Sequence, residues 1–190
     1  MLLFRSALVL LFLPLAMRAE DTGKRVFEEI NLARTQPRAY AQIVAAHAGR
    51  SRAVTEAVHF LERTAPRQPL TFSPGLTQAA LSHVLDQGAT GKIGHTGRDG
   101  ARSFDRMARY GRWGGAAGEN IDYGNEDPRS IVVRLIVDEG VPGRQHRANI
   151  FRPAFRVAGV AAGTHARFGA MCVIDFAGAF AERGAGLAAR

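Results

Sequence analysis

The chain has 190 residues, 46% of them apolar and 22% charged, which fits one globular domain and excludes general disorder. Its formal net charge is +8, and all but Lys24 and Lys92 of the 25 cations are arginine; no dense basic run, stacking aromatics or recognition-helix pattern accompanies that charge, so no specific nucleic-acid binding is expected. The single cysteine, Cys172, excludes an internal disulfide framework and any multi-cysteine zinc or iron–sulfur centre.

Residues 1–19 have the layout of a secretory signal peptide. Arg5 is followed by twelve uncharged residues, Ser6 to Met17, and Ala19 offers a small cleavage residue. That stretch is short of the roughly 20 residues a bilayer takes. No transmembrane segment is therefore expected once it is removed, with an uncleaved anchor as the alternative. Residues 20–190 then form the mature chain, secreted or periplasmic.

Val26, Phe27, Ile30 and Ala33 predict a helix over 22–34. Pro37 ends it and starts another, with Tyr40, Ile43, Val44 and His47 on one face and Gly49 as the stop. Val54, Val58 and Leu61 suggest a short third helix. Ser73-Pro74 supplies a capping hydroxyl and a first-position proline for a helix carrying Leu76, Ala80, His83 and Val84, closed by Gly88 and Gly91. Residues 101–109 predict another short helix with Phe104 and Met107 inward. The glycines around Trp113 then read as a loop entering a strand near 119–123, and Asp127-Pro128 opens a helix with Ile131, Val132, Leu135 and Ile136. Gly140, Pro142 and Gly143 make a loop. Residues 154–161 and 167–176 look like paired strands turning at Gly163-Thr164. Helices come first and strands late, so the expected class is α+β in a single domain.

Two histidines stand in turn-rich polar contexts, His95 in Gly94-His95-Thr96-Gly97 and His146 in Gln145-His146-Arg147-Ala148-Asn149. Gly118-Glu119-Asn120 lies between them, and Asp138 and Glu139 lie just before the second. Imidazoles and carboxylates are ligands for a divalent cation such as zinc, and also the acid–base groups of hydrolytic sites. His83 on an apolar helix face reads as a core histidine, and Cys172 as a small buried apolar residue. Arg144 and Arg147 could attract an anion, although solvated loop arginines are commoner. Packing over the sheet is the default for Trp113.

Gly94-His95-Thr96-Gly97, Gly118-Glu119-Asn120-Ile121, His146-Arg147-Ala148-Asn149-Ile150 and Val173-Ile174-Asp175-Phe176-Ala177, taken in order, resemble the CAP superfamily (cysteine-rich secretory protein, antigen 5, pathogenesis-related one), whose domain is also called SCP-like. The resemblance spans about residues 24–178. It implies a three-layer α–β–α sandwich around a mostly antiparallel sheet, with an open cleft holding two histidines and two acids. His95 and His146 match the family histidines and Glu119 the first acid. Leu135 takes the place of a family aromatic, which points to Asp138 as the second acid, with Glu139 as the fallback. Asn120 is expected to hold a loop through side-chain to backbone bonds.

Two functional readings follow. One is a secreted, non-enzymatic binding domain. It would hold zinc or another divalent cation through His95 and His146, together with an apolar or amphipathic small molecule or a cell-envelope component. The other is a metal-dependent hydrolase with Glu119 as general base. The chain has no His-Glu-x-x-His motif and no Gly-x-Ser-x-Gly segment to favour the second.

Overall fold

The computed structural model describes residues 15–183, and residues 1–14 of the expected leader lie outside them. The first helix, α1, runs Leu15–Thr35, beginning upstream of the predicted 22–34. Helices α2 (Pro37–His47) and α3 (Arg52–Arg63) follow. Pro37 occupies the first turn of α2, and the Ser51 hydroxyl caps α3 by accepting from Val54 N at 3.3 Å. A two-residue strand, β1 (Thr71–Phe72), was not anticipated; it leads into α4 (Pro74–Gly88), which is capped by Ser73 Oγ accepting from Leu76 N at 3.1 Å.

Next come α5 (Ser103–Tyr110), β2 (Gly111–Tyr123), α6 (Pro128–Val137) and, after a short turn, α7 (Gln145–Phe151). The hairpin β3 (Val157–His165) and β4 (Gly169–Glu182) closes the described chain. Phe104 is only half-buried, whereas Met107 is fully buried.

The sheet order is β1-β3-β4-β2, with β1 parallel to β3 and the other pairs antiparallel. One face packs Val160, Cys172, Ile174 and Phe176 against residues of α1, α2, α3, α6 and α7. The opposite face packs Ala161, Met171, Val173 and Ala177 against α4, which crosses closely over β3. A Cβ on Gly159 would sit 2.1 Å from Thr77 N, so only glycine allows that approach. Among the described residues no helix is long and apolar enough to cross a membrane.

Two sequence expectations are corrected. The glycine-rich segment around Trp113 is the first half of β2 rather than a loop, paired with β4 from Gly111 and interrupted by a bulge between Gly114 and Ala117. Gly115, at φ +73°, supplies the left-handed residue such a bulge accepts. Trp113 is 37% exposed there, beside Phe104. The hairpin turn lies at 166–168, not at Gly163-Thr164. The His165 ring caps it, accepting from Arg167 N at 3.3 Å and Phe168 N at 3.2 Å. Gly163 serves packing instead, since a Cβ there would lie 2.5 Å from Val84 Cγ1.

Candidate functional site: two histidine–carboxylate pairs at the sheet edge

Strand β2 is an edge of the sheet, and successive residues on it point to opposite faces. Glu119 and Asn120 therefore serve different layers. On the α4–α5 side, Glu119 Oε1 accepts from His95 Nδ1 at 2.8 Å, and Arg106 from α5 binds Oε2. The His95 side chain is 54% exposed while those of Glu119 and Arg106 are 2% and 3% exposed. Burial alone would favour the neutral acid, but His95 and Arg106 outweigh it and hold Glu119 below the usual carboxylate range.

The loop bearing His95 is fixed from beneath. The Gly94 carbonyl accepts from Gln87 Nε2 at 2.8 Å and pairs with His83 Nε2 at 2.9 Å, and Gly94 N donates to the Tyr123 hydroxyl at 2.9 Å. That hydroxyl donates in turn to Gln87 Oε1 at 2.9 Å. Arg106 also donates to the His95 carbonyl at 3.1 Å. His83 is fully buried, as a core histidine should be, and burial lowers its basicity and keeps the ring neutral. It is nonetheless part of the scaffold that aims His95.

The second pair is built at a helix end. Asp138 ends α6 in the left-handed conformation, φ 54°. Its Oδ1 meets His146 Nδ1 at 2.6 Å, and its Oδ2 accepts from His146 N at 2.8 Å. Asp138 is buried and Glu139 exposed, so the structure sets Asp138 and not Glu139 against the ring. Arg147 is buried rather than solvated. It caps α6 by donating to the Ile136 and Val137 carbonyls at 2.5 and 3.0 Å, and reaches Glu56 of α3 at 2.9 Å. Arg144 bonds the Asp138 carbonyl at 2.6 Å and the same Glu56 at 2.8 Å. Both arginines thus brace the His146 loop.

Asn120 joins the two pairs. Its Nδ2 donates to the His146 carbonyl at 3.0 Å, and its Oδ1 accepts from Asn149 at 2.9 Å. The neighbouring Asp122 is buried, with Arg134 at 3.4 Å and Asn125 donating at 2.8 Å. Burial pushes its carboxyl up to about 6 against both partners.

Both rings bind their carboxylates through Nδ1, and neither Nε2 has a hydrogen-bond partner among the described residues. That is the outer-shell arrangement of a metal-ligating imidazole, whose second ring nitrogen is held by a carboxylate. The acids themselves are committed to these contacts. Among the described residues no group of three or more His, Cys, Asp or Glu side chains is placed to hold one ion. Were a cation to bind here, the imidazole Nε2 atoms would be the donors these residues have left for it, with water or ligand completing its shell. Two open depressions, of about 540 Å³ between α2 and α3 and about 390 Å³ beside α1 and α6, include neither pair.

Arg106, Gln87 and Tyr123 carry no role in the sequence reading, and His83 only that of a core histidine. Each acts through a partner on another element or loop, and only tertiary packing makes it visible. Cys172 is buried and free, with burial raising its thiol.

This combination of an α–β–α sandwich with two histidine–acid pairs at a sheet edge defines a class, and comparison with known proteins agrees. The family model of the cysteine-rich secretory protein family, CAP, matches residues 27–176. The chain belongs to that family. An extracellular protein containing a SCP domain from Bacillus anthracis str. Ames superposes with a TM-score of 0.57 at 17% identity, covering 87% of this chain and 44% of that one. The chain thus spans less than half the length of the Bacillus protein. An outer surface protein from Borrelia burgdorferi gives a TM-score of 0.57 at 13% identity, covering 86% of this chain and 95% of that one. At these identities the likeness concerns the fold. No curated protein matches.

Proposed function

We propose that this chain is a secreted or periplasmic CAP domain that binds rather than cleaves, with His95 and His146 contributing Nε2 to an exchangeable divalent-cation site, zinc being the first candidate. The observation that carries this reading is the matched pair of Nδ1–carboxylate bonds, which leaves both Nε2 atoms free of protein partners among the described residues. Two imidazoles leave coordination positions open, so a bound cation would also meet the ligand. The two imidazoles offer polar groups to a ligand, which favours a polar cell-envelope component over an apolar small molecule.

Glu119 fits an orienting role better than that of a general base. Both of its oxygens already have donors, and its side chain is almost wholly out of solvent. A base must reach the proton it abstracts, directly or through one water.

Zinc titration of the mature chain beside a His95→Ala/His146→Ala double variant tests the reading. We expect stoichiometric uptake by the first and none by the second. Failure of the unaltered chain to take up zinc, or uptake undiminished in the variant, would overturn it.

A further inference from the structure

Asp175 sits on β4 directly opposite Glu119 on β2. Directly opposed residues share a face of the sheet, with their Cβ atoms about 5 Å apart. On its other side Asp175 is opposed by Gly159, which has no side chain to offer. Asp175 is 0% exposed, and among the described residues no donor reaches either of its oxygens. Arg106, the nearby cation, is committed elsewhere: Nη1 donates to the His95 and Ala101 carbonyls and Nη2 to Glu119, while Nε finds no acceptor among the described residues.

Two buried carboxyls this close do not both ionise. Glu119 has two cationic or N–H donors on it and Asp175 has none, so the charge belongs to Glu119. We propose that Asp175 is a neutral carboxylic acid whose O–H donates to Glu119, making it a positioning residue that holds the Glu119 carboxylate where it receives His95 Nδ1. Burial, and then the charge of Glu119, push the Asp175 carboxyl well above the usual range, in the same direction.

The arrangement gives the His95 half of the site a definite electrostatic character. The positive Arg106 and the negative Glu119 cancel, and Asp175 and the buried His83 are neutral. The groups behind His95 therefore carry no net charge. Selection at His95 comes from the aim of the ring rather than from an excess of negative charge. Cation binding by His95 is not needed for any of this, so the inference stands or falls apart from the zinc reading.

The test uses the metal-free chain. In protein labelled with carboxyl-¹³C aspartate, the Asp175 signal, assigned by its loss in Asp175→Asn, is expected at the neutral-acid position at neutral pH. An ionised position there would overturn the proposal. The His95 Nδ1–H resonance, assigned by its loss in His95→Ala, should be sheltered by Glu119 and visible in the unaltered chain. It is expected to persist in Asp175→Asn, whose amide keeps a donor to Glu119, and to vanish in Asp175→Val. Persistence in a folded Asp175→Val, or loss in Asp175→Asn, would remove the positioning role. Should Asp175→Val fail to fold, Asp175→Asn and the carboxyl signal decide the matter.

Discussion

The two histidine–carboxylate pairs reach the same Nδ1 contact by different physical routes. His146 and Asp138 are eight residues apart and joined across one helix end, where a left-handed aspartate takes both a ring nitrogen and a backbone N–H. His95 and Glu119 are 24 residues apart on a loop and a strand. Their contact depends on Arg106 from a third element and, in the proposed arrangement, on Asp175 from a fourth. The His146 pair is a local motif braced from outside. The His95 pair stands on a buried polar network, where every member must be satisfied if the low dielectric is not to turn against the fold.

The difference is most visible if Arg106 is removed. Its guanidinium and the Glu119 carboxylate are both almost fully buried. Truncating one member of such a pair leaves an uncompensated charge and costs about 3–5 kcal/mol. Arg106→Leu is therefore expected to lower unfolding free energy by about that much in urea at neutral pH. A loss no larger than that of a surface substitution would mean the His95 pair is as loosely supported as its partner.

Asp122 sharpens the contrast from the other face of β2. Its carboxyl is buried like that of Glu119, but its cation, Arg134, is 62% exposed. The result is opposite in sign: burial wins, and the group rises from 3.8 to about 6. A raised carboxyl means that the folded chain binds a proton more tightly than the unfolded one between those values. Stability therefore falls as pH increases through that window and stays lowered above it. That difference corresponds to ~3 kcal/mol. Asp122→Asn is expected to flatten this decline and to be the more stable protein at neutral pH, as denaturant melts at either end of the window would show.

The same contrast explains what could be read from the chain. Asp138 is named through the family resemblance, by way of Leu135, and its contact with His146 is local, since a helix end and a short loop confine both; Ser73-Pro74 and Asp127-Pro128 announce their helices through capping chemistry that is equally local. The strand reaching back to Gly111 could not be read. Glycines there signal a loop by propensity, and only pairing with β4 and the bulge at Gly115 makes them a strand. Arg106 carries no signal, and Asp175 enters only as part of a family motif, for a related reason. A buried polar side chain cannot be told from a solvated one without its neighbours, and their neighbours lie on other elements. Arg147 reads as a solvated loop arginine, or else an anion receptor, for want of the α6 carbonyls it caps.

The smallest effect belongs to the outer brace of the His146 pair. Glu56 holds Arg144 and Arg147, and their hydrogen bonds, Arg144 first, draw its carboxyl down to about 2. A depressed carboxylate contributes stability that is present above its ordinary range and lost as pH falls through about 2. Yet the Glu56 side chain is 45% exposed, and solvent screening leaves exposed ion pairs worth under ~1 kcal/mol. Glu56→Gln should therefore cost less than that at neutral pH, lose most of its effect in high salt, and match the unaltered chain in strong acid. Melting curves at the two salt concentrations separate the cases. A large, salt-insensitive loss would make this brace equivalent to the Arg106 network and erase the distinction between the two pairs.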